Sequence, residues 1–145
     1  SPAYRTSNAR IESMSELQLM TRYTDEAIET LRPHVCVLPV VLAAINVNFA
    51  SAPVLRSLHE EIDDSIAEEL SEQAKEIPFV DVQAFLENPL LDGIGVNEEK
   101  VTVETNFYRA AATIDVGNLQ INVSSLFQRG DDGRVRVVSR ARGQL

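Results

Sequence analysis

Few side chains in this sequence are of the types that make and break covalent bonds at neutral pH. Cys36, His34 and His59 are the candidates for nucleophilic work, because a thiol or a serine hydroxyl needs a nearby imidazole to take its proton. His34 and Cys36 stand two apart, which on a strand would put them on one face, yet no third group is in sight to orient the imidazole. This pattern predicts no catalytic residue. Gly93-x-Gly95 is a lone fragment of a phosphate-cradling loop without the strand-to-helix setting that such a loop needs. Carboxylates cluster at Glu60, Glu61, Asp63 and Asp64, at Glu98, Glu99 and Glu104, and at Asp131 with Asp132, and calcium takes six to eight oxygens from such groups. None reproduces the twelve-residue calcium loop with its fixed offsets and central Gly. The first cluster reads as a solvated helix end and the last as a hairpin turn, so no metal ligand is assigned and no cofactor is required.

The 145 residues suffice for one medium domain or two very small ones, and 44 % apolar content is ordinary for a globular protein. At this length roughly 68 to 70 % of the unfolded chain's surface can leave water, so neither a metal nor a disulfide is needed to hold the fold. Cys36 is the single cysteine and has no partner in this sequence. The net charge of −9 is unevenly placed: 8 basic residues stand against 20 acidic through Gln128, and 5 Arg against 2 Asp from Arg129 onward, giving −12 and then +3. A strongly acidic body disfavours phosphate backbones, which are bound by clustered Lys and Arg. No stretch approaches the ~20 consecutive apolar residues of a membrane helix, and Ser1-Pro2-Ala3-Tyr4-Arg5-Thr6 lacks the layout of a signal peptide and reads as a cut end.

The positioning elements follow from capping residues and periodicity. Ser13 and Ser15 precede Glu16 and Gln18 at capping-box spacing, with Leu17 and Met20 on one face. Thr24 opens a second helix with Asp25 and Glu26 in its first turn, Ala27, Ile28 and Leu31 as its stripe, and Pro33 as its stop. Val35 to Ile45 is β-branched but interrupted by Pro39, so strand and buried loop both fit it. Ser51 is placed to cap a helix carrying Leu55, Leu58 and Ile62; Asp63 or Asp64 opens another with Ile66, Leu70 and Ala74; Asp81 caps a shorter one with Val82, Phe85 and Leu86.

After Gly93-Ile94-Gly95 the period switches to two. Tyr108, Ala110, Ala112, Ile114 and Val116 form one apolar face, Gly117-Asn118 a turn, and Leu119, Ile121, Val123 and Phe127 the same side of a second strand. Gly130-Asp131-Asp132-Gly133 makes another turn before a third strand with Val135 and Val137 inward and Arg134, Arg136 and Arg140 outward. The expectation is an α+β chain, with a helical region over residues 1–95 and a three-stranded antiparallel meander over 96–145. Three strands with one apolar face need a cover, which is either the helical front or a helix outside this sequence.

Ile45-Asn46-Val47-Asn48, followed by Ala50-Ser51 and Val54-Leu55-x-x-Leu58, resembles the opening of a helix-hairpin-helix unit, which would make a nucleic-acid-binding module the alternative reading. Such units meet phosphate through a Gly-x-Gly turn, whereas here His59-Glu60-Glu61-Ile62-Asp63-Asp64 follows, and acids stand where amides and cations belong. The same segment is also similar to the signature of the K-type minor pseudopilins of type II secretion, an Ile-Asn-Val-Asn-Thr-Ala-Ser run in most members, with Phe49 here in place of the usual Thr. The resemblance extends through Tyr4-Arg5-Thr6, Ser15-Glu16-Leu17, the Thr24 to Pro33 helix and Leu38-Pro39. It continues in Phe107-Tyr108, the Gly117 turn, Leu126-Phe127-Gln128-Arg129, Gly133-Arg134-Val135 and Val138-Ser139-Arg140.

The resemblance implies a non-enzymatic, periplasmic subunit with a pseudopilin fold enlarged by a helical insert, its parent protein anchored in the inner membrane by an N-terminal helix absent from this sequence. It implies a place at the pseudopilus tip in a ternary complex with the I and J minor pseudopilins, initiating or capping assembly and touching secreted cargo, without nucleic acid. Calcium binding by some members is also implied, although no ligand set here carries those sites over. On this reading Tyr108, Ala112, Ile114, Ile121 and Val123 face the missing helix.

Overall fold

A computed structural model describes residues 10–11, 14–20, 23–40, 43–130 and 132–142. The Tyr4-Arg5-Thr6 entry, Ser13 and Asp131 lie outside the described residues. Met14–Leu19 forms a 3-10 stretch with no buried residue, so the face of Leu17 and Met20 does not become a packed helix stripe. Helix α1 (Asp25–Leu31) is capped as its sequence demands: the backbone N–H of Ala27 donates to Thr24 Oγ1 at 3.2 Å, and Ile28 is buried. The segment from Val35 resolves as irregular chain over its described residues, and regular structure resumes only at strand β1 (Ile45–Asn46). Pro39 withholds the donor a longer strand would need.

Helix α2 (Ala52–Arg56) and helix α3 (Asp64–Glu76) pack on each other and are joined by the acidic segment 57–63. Asp63 caps α3 through Ile66 N–H at 2.9 Å, and Ala67, Leu70, Ser71 and Ala74 are its buried face. Helix α4 (Val82–Leu86) is capped by Asp81 and inserts Phe85 completely, with Phe79 meeting it edge-on at 5.3 Å between ring centroids. Strand β2 (Val101–Thr102) pairs in parallel with β1, Ile45 opposite Val101 and Asn46 opposite Thr102. One core joins these pieces, with Val47, Leu55, Ile62, Leu70, Phe85 and Leu91 at its centre. Its packing continues past residue 95, since Val101 is buried within it and Val96 and Val103 lie against it.

The rest is a meander of strands β3 (Phe107–Val116), β4 (Leu119–Arg129) and β5 (Val135–Arg142) in the order β3-β4-β5. Gly117 at φ +62° takes the left-handed conformation that the two-residue turn to β4 requires. The register places Ala112 opposite Val123, Ile114 opposite Ile121 and Val116 opposite Leu119. Between these rows, on the other face, Thr113 donates to Asn122 at 2.9 Å and Gln120 to Asp115 at 3.0 Å. One departure from simple alternation occurs in β5. Val137 pairs with Phe127 and Ser139 with Leu126, so Val138 is a bulge residue, and beyond it the parity inverts. Arg140, expected to face away with Arg134 and Arg136, is instead opposite Ser125 on the apolar side, and Arg142 opposite Val123 joins it.

Two asparagines hold the architecture together. Asn48 donates from Nδ2 to the Phe79 carbonyl at 2.9 Å and accepts from the Phe79 N–H at 2.8 Å, closing a two-way amide clamp onto the α3–α4 connection. Asn46 donates to Thr105 Oγ1 at 2.7 Å and to the Val103 carbonyl at 3.3 Å, while accepting from the Asn48 N–H at 3.0 Å. It thus fixes the connector that leads into β3. Replacing Asn48 by Ala leaves two half-buried backbone groups without their partner, a loss of about 1–3 kcal/mol. Urea unfolding of Asn48→Ala should show a lowered midpoint of that size, and an unchanged midpoint would remove the clamp from the account.

Candidate interaction surface

The side chains that first suggest chemistry do not assemble. His34 Nδ1 lies 3.1 Å from Ser51 Oγ, His59 Nδ1 accepts from the Glu61 N–H at 3.2 Å, and Cys36 is a free, exposed thiol. Ser51 occupies the cap position of α2 by its backbone but makes no side-chain cap bond. Its hydroxyl instead ties the chain after α1 to the signature loop, a use that a local capping pattern cannot reveal. No group of three or more His, Cys, Asp and Glu among the described residues is arranged to hold a metal ion. At the α2–α3 turn, where a helix-hairpin-helix unit would meet phosphate, Arg56 is taken up by Asp64 at 2.7 Å and the turn itself carries Glu60, Glu61 and Asp63. Coulomb repulsion there opposes a polyanion.

What the fold builds instead is an open apolar sheet face. The register puts Tyr108, Ala112, Ile114, Ile121 and Val123 on one side of the meander, together with Ala110, Val116, Leu119, Phe127 and Val137. Ile114 is 46 % exposed and Leu119 60 % exposed, and no buried apolar side chain of the described residues belongs to β3, β4 or β5. The described helices therefore do not cover this face, and the first of the two expected covers is excluded for them. Ala110, Ala112 and Ser125 make the middle of the face shallow, with larger side chains toward the hairpin end and toward Tyr108 and Phe127. Beyond the bulge, Arg140 and Arg142 rim it with positive charge. An exposed apolar surface of this kind is a candidate interaction face.

The sequence pattern described as "Type II secretion system (T2SS), protein K" matches residues 45–104, and a second pattern of the same description matches residues 1–40. The chain belongs to the type II secretion system protein K family. Protein K of Pseudomonas aeruginosa is 32 % identical over 143 residues, covering 99 % of this chain and 42 % of that protein. Protein K of Pectobacterium carotovorum is 27 % identical over 146 residues, covering 97 % of this chain and 44 % of its own length. The chain thus spans less than half the length of these protein K relatives. A solved structure described as the GspK-GspI-GspJ complex from the enterotoxigenic Escherichia coli type 2 secretion system contains a chain that superposes on it with a TM-score of 0.81. The overlap covers 100 % of this chain and 52 % of that one, at 22 % identity, and so establishes a shared α+β fold.

The exposed sheet face and the packed helical core predict opposite responses to mutation. In the 145-residue chain, Ile114→Asp should shift the unfolding free energy by no more than about 1 kcal/mol, the range of strand propensity, whereas Leu70→Ala should cost about 2–5 kcal/mol. Chemical denaturation of the two variants measures the contrast, and a loss at Ile114 as large as that at Leu70 would mean that the face is already covered.

Proposed function

We propose that this part of protein K is a structural module of a minor pseudopilin at the tip of the type II secretion pseudopilus, where it binds I- and J-type pseudopilins and initiates or caps assembly. The observation that carries the reading is the uncovered apolar face of the β3–β5 meander beside a helical unit with a complete core of its own. A contiguous solvated apolar face of this kind marks a surface that another element covers. An apolar helix from the same parent protein, laid along Tyr108, Ala112, Ile114, Ile121 and Val123, supplies that cover, and the small Ala110, Ala112 and Ser125 let that helix approach closely. The parent would then be held at the inner membrane with both units in the periplasm. Support for the partners comes from the structural neighbour, whose own complex joins GspK to GspI and GspJ.

The acidic helical unit and the Arg-bearing sheet give the module two surfaces of opposite charge. Such a division sets orientation in an assembly more than it adds affinity. Co-expression of the full-length protein's periplasmic part with the I- and J-type pseudopilins of the same organism should yield one discrete ternary complex by size exclusion. Three separate peaks would contradict the assignment of partners, and retention on duplex DNA at low salt would favour the nucleic-acid reading instead.

A further inference from the structure

Plain alternation along β5 would send Arg136, Arg140 and Arg142 to one side of the sheet, yet the bulge at Val138 delivers Arg140 and Arg142 to the apolar side. Arg142 lies opposite Val123, in the row that Ala112 completes, and Arg140 lies opposite Ser125, in the row that Ala110 completes. Both therefore flank the shallow middle of the face. Both are exposed, and among the described residues neither stands within ion-pair distance of a carboxylate. Of the described acids that border the meander, Asp132 is with Arg134 at 3.6 Å, Glu104 with Arg129 at 3.9 Å, and Asp115 faces the other way and accepts from Gln120. A helix about 10 Å across laid over β4 reaches both neighbouring strands, which lie about 4.8 Å to either side. Its docking takes water from the two guanidinium groups. Desolvating a charge without a partner opposes docking, whereas a carboxylate held against the guanidinium fork by paired hydrogen bonds removes that penalty.

Resting on the reading of the sheet face as helix-covered, we infer that the covering helix belongs to the parent chain and carries two carboxylates on its sheet-facing side that pair with Arg140 and Arg142. The spacing fits a helix. Residues two apart on a strand stand about 6.8 Å from each other, and four residues of a helix advance about 6 Å along one face. Charge and tethering select the occupant. The apolar face carries Arg140 and Arg142 and no acid, so a second copy apposed face to face would bring four Arg together with nothing to pair them. A basic or neutral segment would leave both guanidinium groups unpaired. This chain covers 42 % and 44 % of two protein K relatives, so more than half of a parent of that length lies outside it. A segment tethered in the same polypeptide meets the face at a high effective concentration, an advantage that a free partner lacks.

Arg140→Lys and Arg142→Lys, introduced one at a time into the full-length protein, supply amines that a water-soluble carbodiimide joins to a carboxylate in ion-pair contact. Mixing isotope-labelled and unlabelled protein before the reaction separates links within one chain from links between copies. Peptide mapping should find each amine joined, within its own chain, to an Asp or Glu outside these 145 residues, the two acids standing about three or four positions apart. The second readout is maleimide labelling of Ala112→Cys in a Cys36→Ser background. Slow in the full-length protein, it should quicken about tenfold when Arg140→Glu and Arg142→Glu are introduced together. It should slow again when the two mapped acids are changed to Lys, and the double reversal should not alter it in the isolated chain. Links to acids within the 145 residues, to a second copy or to another protein overturn the pairing, as does the absence of a link at either position or a labelling rate indifferent to the reversal; slow labelling in those cases leaves the covering helix standing. Fast labelling in the full-length protein before any reversal overturns the covering itself, and the pairing with it.

Discussion

The fold turns on one mismatch, a sheet that is amphipathic in sequence and register but carries its apolar side in water. Ile114 faces Ile121 and Val116 faces Leu119 across a ladder whose other side is stitched by Thr113 to Asn122 and by Asp115 to Gln120. Such alternation specifies register strongly only where one face is buried, because a slip of one residue would exchange the two faces. The pattern thus leaves one apolar face that the described helices do not cover. Even the β5 bulge fits this logic, since it turns Arg140 and Arg142 onto the apolar side and gives the face a charged limit.

The helical unit obeys the opposite rule. Its core is satisfied internally, with Leu55, Leu70, Phe85 and Val47 fully out of water and no buried side-chain polar atom left without a hydrogen-bond partner among the described residues. The two asparagines of the signature explain how so short a set of helices holds a defined shape. Asn48 fastens the α3–α4 connection to the loop before α2, and Asn46 fastens the connector to β3. A half-buried amide that satisfies both backbone groups of another residue specifies geometry as well as stability. Charge completes the division of labour, with an acidic unit on one side and a basic strand end on the other.

Much of this is legible in the chain. Thr24, Asp63 and Asp81 announce their helices because capping is a local bond to the third residue on. The strands announce themselves by period, and Gly117 by the turn it permits. Three features are not legible. Ser51 has the cap position and spacing of a capping residue, yet its hydroxyl goes to His34, a partner 17 residues away. The bulge at Val138 has no local mark, so strict alternation assigns Arg140 to the wrong face. Asn46 and Asn48 carry no local mark of their partners, Thr105 and Phe79, which are reached only through the tertiary fold.

The central claim is that the β3–β5 face is built to be covered by an element beyond these 145 residues. It is tested most directly by the reactivity of a thiol placed in the middle of that face, Ala112→Cys, in a Cys36→Ser background. Maleimide labelling should be fast in the isolated chain and about tenfold or more slower in the full-length protein, where a packed helix excludes the reagent. Equal labelling rates in the two proteins would contradict it.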